Sequence, residues 1–351
     1  MCDNQFIHTP KPSEESQRCC ESESSSSCYQ EVSDQLKAIL QQESSHYAPG
    51  FNYLCSPNLP KAEGSSGDHV NECWRRKISE WAFEVVDHFG FDREVVSIAL
   101  NYLDRVVAIK ARELCGPISR RDFQLIAVTC LYLAIKVHGE TDVLEGPRRK
   151  LKINAFVELS RGLFQVETLE RMEVEILASL NWRVNPPTTV RIVATMLRLL
   201  PKLLPSESIP SNAANTIFEM SKYLTELSVC VSAFTFQFRP STIAFASILC
   251  SFDALRGSLV LPSDVTDGFF DQIASITALT PSSQEVREVR SMLMELCPSM
   301  FEREDSLTPF MYVERGLESS AEGGKTSPVC VVDQMQDEMA TRKRGRSAAD
   351  Y

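Results

Sequence analysis

Two stretches of this chain, residues 123–137 and 241–250, are apolar at nearly every position instead of every third or fourth. A helix with that pattern in a water-soluble protein must be surrounded by other helices. Neither stretch is long enough to cross a bilayer. The two segments therefore predict two helical blocks, each built around its own buried central helix.

The flanking sequence fits that plan. In the first block Ile78, Trp81, Ala82, Val85 and Phe89 fall on one face of a helix, and Gly90 stops it. Asp92 is placed to cap the next helix, where Val95, Ile98, Ala99, Tyr102 and Val106 repeat the spacing. Gly116-Pro117 breaks that helix and Ser119 can cap the central one. A short helix over residues 153–160 follows, then a fifth over 166–180 with Leu169, Met172, Ile176 and Leu180 in its stripe. Asn185-Pro186-Pro187 ends the block, because consecutive prolines forbid continuation. The second block predicts helices at residues 188–200, 213–229, 265–278 and 282–296 around the segment opened by Pro240. No strand-period alternation competes. The fold class is all-α, with two tandem five-helix blocks at 72–185 and 186–300. A helix and linker occupy 31–71, and the helix is carried by Val32, Leu36, Ile39 and Leu40. The Ser/Glu-rich segment 1–30 and the polar segment 301–351 are expected to be disordered tails.

The 351 residues are 43% hydrophobic and carry a net charge of −11. That acidity speaks against sequence-independent DNA binding, which depends on Lys and Arg at phosphates. The 12 cysteines are scattered without Cys-x-x-Cys spacing, so they read as free thiols in a reducing compartment. No signal peptide is expected from the polar opening Met1-Cys2-Asp3-Asn4. The sequence shows no Gly-rich phosphate loop, no His-Glu-x-x-His and no nucleophile elbow, which argues against an enzyme. No metal or cofactor is expected.

Two charged pairs stand out. Glu173 lies in or beside an apolar stripe, where a lone carboxylate is costly, and Lys136 ends an otherwise apolar helix. They read either as a structural ion pair or as the rim of a protein-binding groove. Arg75 and Asp104, on neighbouring amphipathic helices, read either as a pair or as two solvated charges.

The run Trp74-Arg75-Arg76-Lys77-Ile78-Ser79-Glu80-Trp81 resembles the opening helix of the cyclin box. Asn101-Tyr102-Leu103-Asp104-Arg105 is similar to the second helix of that family, and Gln124 through Lys136 to the third. Leu169-Glu170-Arg171-Met172-Glu173 and Leu180-Asn181-Trp182 resemble the fifth helix and its close. Residues 41–54 and 238–246 resemble, in turn, the stretch before the box in plant D-type cyclins and the third helix of a C-terminal cyclin fold.

The resemblance implies a regulatory subunit that binds and activates a cyclin-dependent protein kinase, controlling cell-cycle progression from the first gap phase into DNA synthesis. Arg75 and Asp104 become a buried structural pair, and Lys136, Glu173 and Glu140 become kinase contacts. Trp74, Ile78, Trp81, Arg120 and Gln124 become a docking patch for substrate or inhibitor motifs. Four departures stand out: Gly139 stands where the family has Glu after Lys-x-x, with Glu140 one later, Ile135 stands where it has Ser, Trp74 replaces a Met, and Lys77 replaces the Ile of mitotic and S-phase members. Thr9, Thr308 and Ser327, each followed by Pro, are candidate phosphosites. The basic run 341–346 is a candidate nuclear import signal, and nucleus and cytoplasm are the implied locations, with no membrane and no direct nucleic acid partner. Competing readings are a two-repeat helical transcription factor, which a gel shift would reveal, and a kinase-independent adaptor.

Overall fold

The computed structural model describes residues 14–54, 70–113, 118–139, 151–200, 213–256 and 262–301. Every regular element among them is helical. The first block comprises α2 (Glu72–Phe89), α3 (Glu94–Glu113), α4 (Arg120–His138), α5 (Ile153–Leu159) and α6 (Val166–Ser179). The second comprises α7 (Thr189–Leu197), α8 (Ala213–Val229), α9 (Ser232–Gln237), α10 (Pro240–Leu255), α11 (Ser263–Thr277) and α12 (Gln284–Leu296). A long helix, α1 (Glu14–His46), precedes both.

The two all-round apolar segments are the central helices. α3, α5 and α6 pack around α4, and α7, α8 and α12 around α10. Leu125, Ile126, Val128, Leu131 and Ala134 of α4 lie in one core, and Ala244, Phe245, Ile248 and Leu249 of α10 in another. The serines within α10 do not break it. Ser247 Oγ donates to the Ile243 carbonyl at 2.8 Å and Ser251 Oγ to that of Ser247 at 2.9 Å, so no hydroxyl is stranded. Cys130 and Cys250 are buried as small apolar groups, and burial pushes the Cys250 thiol up to about 12.

The expected punctuation works through specific bonds. Gly90 is left-handed at φ 71° and returns its N–H to the carbonyls of Asp87 and Val86, closing α2. Asp92 Oδ1 accepts from the Glu94 N–H at 2.7 Å, and Ser119 Oγ from that of Asp122 at 3.1 Å.

Two elements differ from expectation. The short α9 has only six residues, too few for a helical period to register in the sequence. It exists because Phe234 is buried in the second core and Phe236 meets Tyr53 edge-on at 5.4 Å. The other is α1, which starts at Glu14, well inside the segment 1–30 expected to be disordered. Its carboxyl-terminal half is docked, and extending an existing helix costs far less than nucleating one, so weakly helical polar residues can continue it.

The docking of α1 was not legible in sequence. It lies against α7 and α11, and Val32 and Leu36 are fully buried in the second core, not the first. Glu43 is also fully buried; its Oε1 accepts from the Ser241 N–H at 2.8 Å and its Oε2 from the Ser241 hydroxyl at 2.7 Å. This carboxylate therefore caps the first turn of α10 from a separate helix. Burial raises the Glu43 pKa above its ordinary 4.5, against the two Ser241 bonds that lower it. A carboxyl with a raised folded-state pKa contributes stability below its unfolded value and loses it as pH rises through the folded one. The Glu43→Gln variant lacks that titration. Its thermal midpoint relative to the parent is expected to improve as pH rises above 4.5. A parent–variant difference that is flat with pH in melts from pH 4 to 8 would refute this.

Candidate functional site

Lys136 sits on the last turn of α4 and Glu173 in the middle of α6, a helix that packs against α4. Lys136 Nζ donates to Glu173 Oε1 at 2.7 Å. The pair is asymmetric: the lysine side chain is 52% exposed and the glutamate 12%. The bond to Glu173 raises the Lys136 pKa, and the ring of Tyr132 lies 5.4 Å from its ammonium. Half in water, such a pair adds little to folding. It does hold a fixed charge at a surface.

Val137 follows Lys136 and Val174 follows Glu173 in the chain, and Trp182 lies just past the end of α6. Val137, Val174 and Trp182 are exposed by 47%, 65% and 71%, and they are three of the five large hydrophobic residues exposed among those described. Sequence reasoning gave none of the three a place at a surface: Val137 was read within the apolar run 123–137 and Trp182 within the motif that closes the fifth helix. Trp182 in particular reads as core from its type, but Asn181 and Trp182 both have left-handed backbones, at φ 51° and 58°, which turn the chain as α6 ends. Exposed apolar side chains beside a held ion pair are what a protein-binding face requires.

Glu140 lies outside the described residues. Its neighbour Gly139 closes α4, donating its N–H to the Ile135 carbonyl at 2.8 Å. A Cβ on Gly139 would stand 2.5 Å from that carbonyl oxygen, so no other residue fits this backbone unshifted. The departure from the family's pattern thus coincides with a tight helix end.

Arg75 and Asp104 form a bidentate pair, with Arg75 Nε at 3.0 Å from Oδ1 and Nη2 at 2.8 Å from Oδ2; their side chains are 1% and 4% exposed. The solvated alternative is excluded. The pair ties more than α2 to α3. Arg75 Nη1 donates to the Val229 carbonyl at 3.0 Å and Nη2 to Thr235 Oγ1 at 3.1 Å, both in the second block. Tyr53 completes it, its hydroxyl donating to Asp104 Oδ1 at 2.8 Å. Burial alone would lower the Arg75 pKa; Asp104 overrides it and holds the guanidinium charged. Burial, and then the Asp104 charge, push the Tyr53 phenol well up.

The expected docking patch is gathered at α2 and α4 but does not form an open apolar surface. Trp74, Ile78, Trp81 and Gln124 are all at most 5% exposed. The larger Trp74, standing where the family has Met, reaches across to α4, where its ring centroid lies 6.2 Å from that of Phe123 and 5.8 Å from the Arg120 guanidinium. Three donors of this patch are buried without a partner: Trp81 Nε1, Arg120 Nη2 and Gln124 Nε2. Only one other such atom, Arg290 Nε, occurs among the described residues. Each unmet buried donor costs about 1–3 kcal/mol. Three on two adjoining helices mark a place short of acceptors.

Among the described residues no three His, Cys, Asp or Glu side chains are grouped to hold a metal, and no helix is long and apolar enough to cross a membrane. Thr9, Thr308 and Ser327 lie outside the described residues, as does the basic run 341–346.

With this geometry in view, the sequence comparisons are specific. The profile of the cyclin N-terminal domain matches residues 36–185, from the docked half of α1 to the close of the first block. Residues 36–185 are thus a match to the N-terminal domain of the cyclin family. Curated relatives include cyclin-D3-3 of Arabidopsis thaliana, 26% identical over 64% of this chain and 55% of that protein. Another is cyclin-D4-1 of Oryza sativa subsp. japonica, 30% identical over 61% of this chain and 54% of the relative. The chain therefore spans about half the length of these two curated relatives. Among solved structures, a viral cyclin from herpesvirus saimiri overlaps 65% of this chain at 16% identity, with a TM-score of 0.48.

Proposed function

We propose that this protein is a non-catalytic regulatory subunit that binds and activates a cyclin-dependent protein kinase. The observation that carries the reading is the Lys136–Glu173 bond between α4 and α6, half-exposed at the lysine, on two helices that also expose Val137 and Val174. A ligand shifts an equilibrium only by binding one state better. This face would act by binding the kinase conformation whose catalytic Lys–Glu pair and activation loop are in place. Similarity to plant D-type cyclins supports action at the passage from the first gap phase to DNA synthesis, and residence in nucleus and cytoplasm. The test is a pull-down of the tagged chain from cycling cells, followed by histone and retinoblastoma-tail kinase assays. A co-purified kinase lost with Glu173→Ala supports the reading. A folded chain that recovers no kinase favours the adaptor reading instead.

The three unpartnered donors support a second element of this function, the docking of substrate or inhibitor segments at Trp74, Ile78, Trp81, Arg120 and Gln124. A peptide backbone supplies the missing acceptors once Trp74 swings aside. Gln124→Met removes one unmet donor at similar volume. It is expected to slow phosphorylation of a docking-dependent substrate about tenfold, a loss of about 1.4 kcal/mol, without lowering the thermal midpoint. Equal rates for parent and variant on such a substrate would discard the docking role.

A further inference from the structure

Thr280-Pro281 is the one Ser/Thr-Pro pair among the described residues, and it lies within the fold. It stands on the connection between α11 and α12, in the second block. Ala278, Pro281 and Ser282 around it are exposed and Thr280 itself is half-buried. Leu279 is the apolar anchor of this connection, half-buried against the second core.

The local bonding leaves the Thr280 hydroxyl committed only to its neighbours. Its Oγ1 is 3.0 Å from Ser282 Oγ and 2.9 Å from Ser283 Oγ. The Thr280 N–H also donates to Ser283 Oγ at 3.2 Å. Ser283 stands at the N-cap of α12, but its hydroxyl serves Thr280 and makes no capping bond to the first turn. No bond from Thr280 Oγ1 to another helix has to be broken for a kinase to take this hydroxyl.

We propose that Thr280 is a phosphorylation site for a proline-directed Ser/Thr kinase. Proline after the acceptor meets that class's requirement. The Thr280 oxygen bonds to the γ-phosphorus of ATP as the bond to the ADP oxygen breaks; the hydroxyl proton passes to the kinase's own base and ADP leaves. The product replaces a hydroxyl with an acceptor-only dianion. The Ser282 and Ser283 hydroxyls can turn to donate to it, and the exposed Arg287 lies one turn into α12. The charge also falls beside the amino end of that helix, where it is favoured, with Glu285 the one opposing group on the first turn. The site is on the opposite block from Lys136 and Glu173, so a bound kinase face does not contain it. The inference rests on the proposed kinase partnership only for one source of the phosphoryl group.

The experiment uses the full chain, purified with whatever kinase it recruits, and ATP. A stand-alone proline-directed kinase is assayed in parallel, with phosphosites mapped by mass spectrometry. Thr280 is expected to be modified, and Pro281→Ala, which keeps the hydroxyl, is expected to cut its occupancy at least tenfold while helicity by circular dichroism is retained. Modification by the stand-alone kinase alone supports the site and counts against the partnership as its source. Thr280 left unmodified by both kinases while Thr308 and Ser327 of the same molecule are modified would overturn the proposal. So would Pro281→Ala with undiminished occupancy.

Discussion

Asp104→Ala is expected to destabilise this protein by about 3–5 kcal/mol, the cost of leaving a buried charge without its partner. Arg75 would keep its bonds to the Val229 carbonyl and Thr235 but lose both carboxylate oxygens, and the Tyr53 hydroxyl would lose its acceptor. The loss should be cooperative across the two blocks, because Arg75 links α2 of the first to α8 and α9 of the second. The charge argument has a sharper consequence. A double variant, Arg75→Met with Asp104→Leu, removes both charges at once and should recover much of the stability lost in Asp104→Ala alone. Urea unfolding of the three proteins decides it. A cost below about 1 kcal/mol for Asp104→Ala, or a double variant no more stable than Asp104→Ala, would show that the pair does not hold the junction.

Glu173→Ala and Trp182→Ala are expected to leave the fold nearly unchanged and to abolish most kinase binding. The stability half follows from exposure. Lys136 is half in water, so losing its pair costs at most about 1 kcal/mol. Trp182, 71% exposed, has little burial to lose, and truncating it should move stability by no more than about 0.5 kcal/mol. The binding half follows from what an interface would do to the same groups. A tryptophan and a charged pair taken out of water against a partner are typical hot spots, worth at least about 2 kcal/mol each, or roughly 30-fold in affinity. Paired thermal melts and affinity measurements with the recovered kinase separate the two. If both variants bind and activate as the parent does, the kinase face lies elsewhere on the molecule. If either instead fails to fold, the exposure argument is wrong.

Much of the fold was legible in the sequence because helices are short-range objects. Their stripes and stops depend on residues within a few positions, so Gly90, Asp92, Ser119 and Pro240 act where the sequence puts them. The all-round apolar character of α4 and α10 likewise required that neighbours surround them, whatever those neighbours were. Arg75 and Asp104 were foreseen as paired or solvated, and the geometry pairs them; Lys136 and Glu173 were foreseen as an ion pair or a groove rim, and the geometry bonds them with the lysine half in water.

Tertiary structure alone decided which surfaces meet. An apolar stripe says that a face is buried but not against what, so Val32 and Leu36 of α1 could not announce that they complete the second core. The same limit hid Glu43 as the cap of α10, a bond between residues 198 positions apart, and the Arg75 bonds 154 and 160 positions along the chain. It also hid the closing of the docking patch by Trp74 and the exposure of Trp182. One depends on which ring lies across from it on α4, the other on two left-handed residues that turn a core-type side chain outward. Residue type and spacing set each helix; the identity of every surface it touches was fixed only when the helices packed.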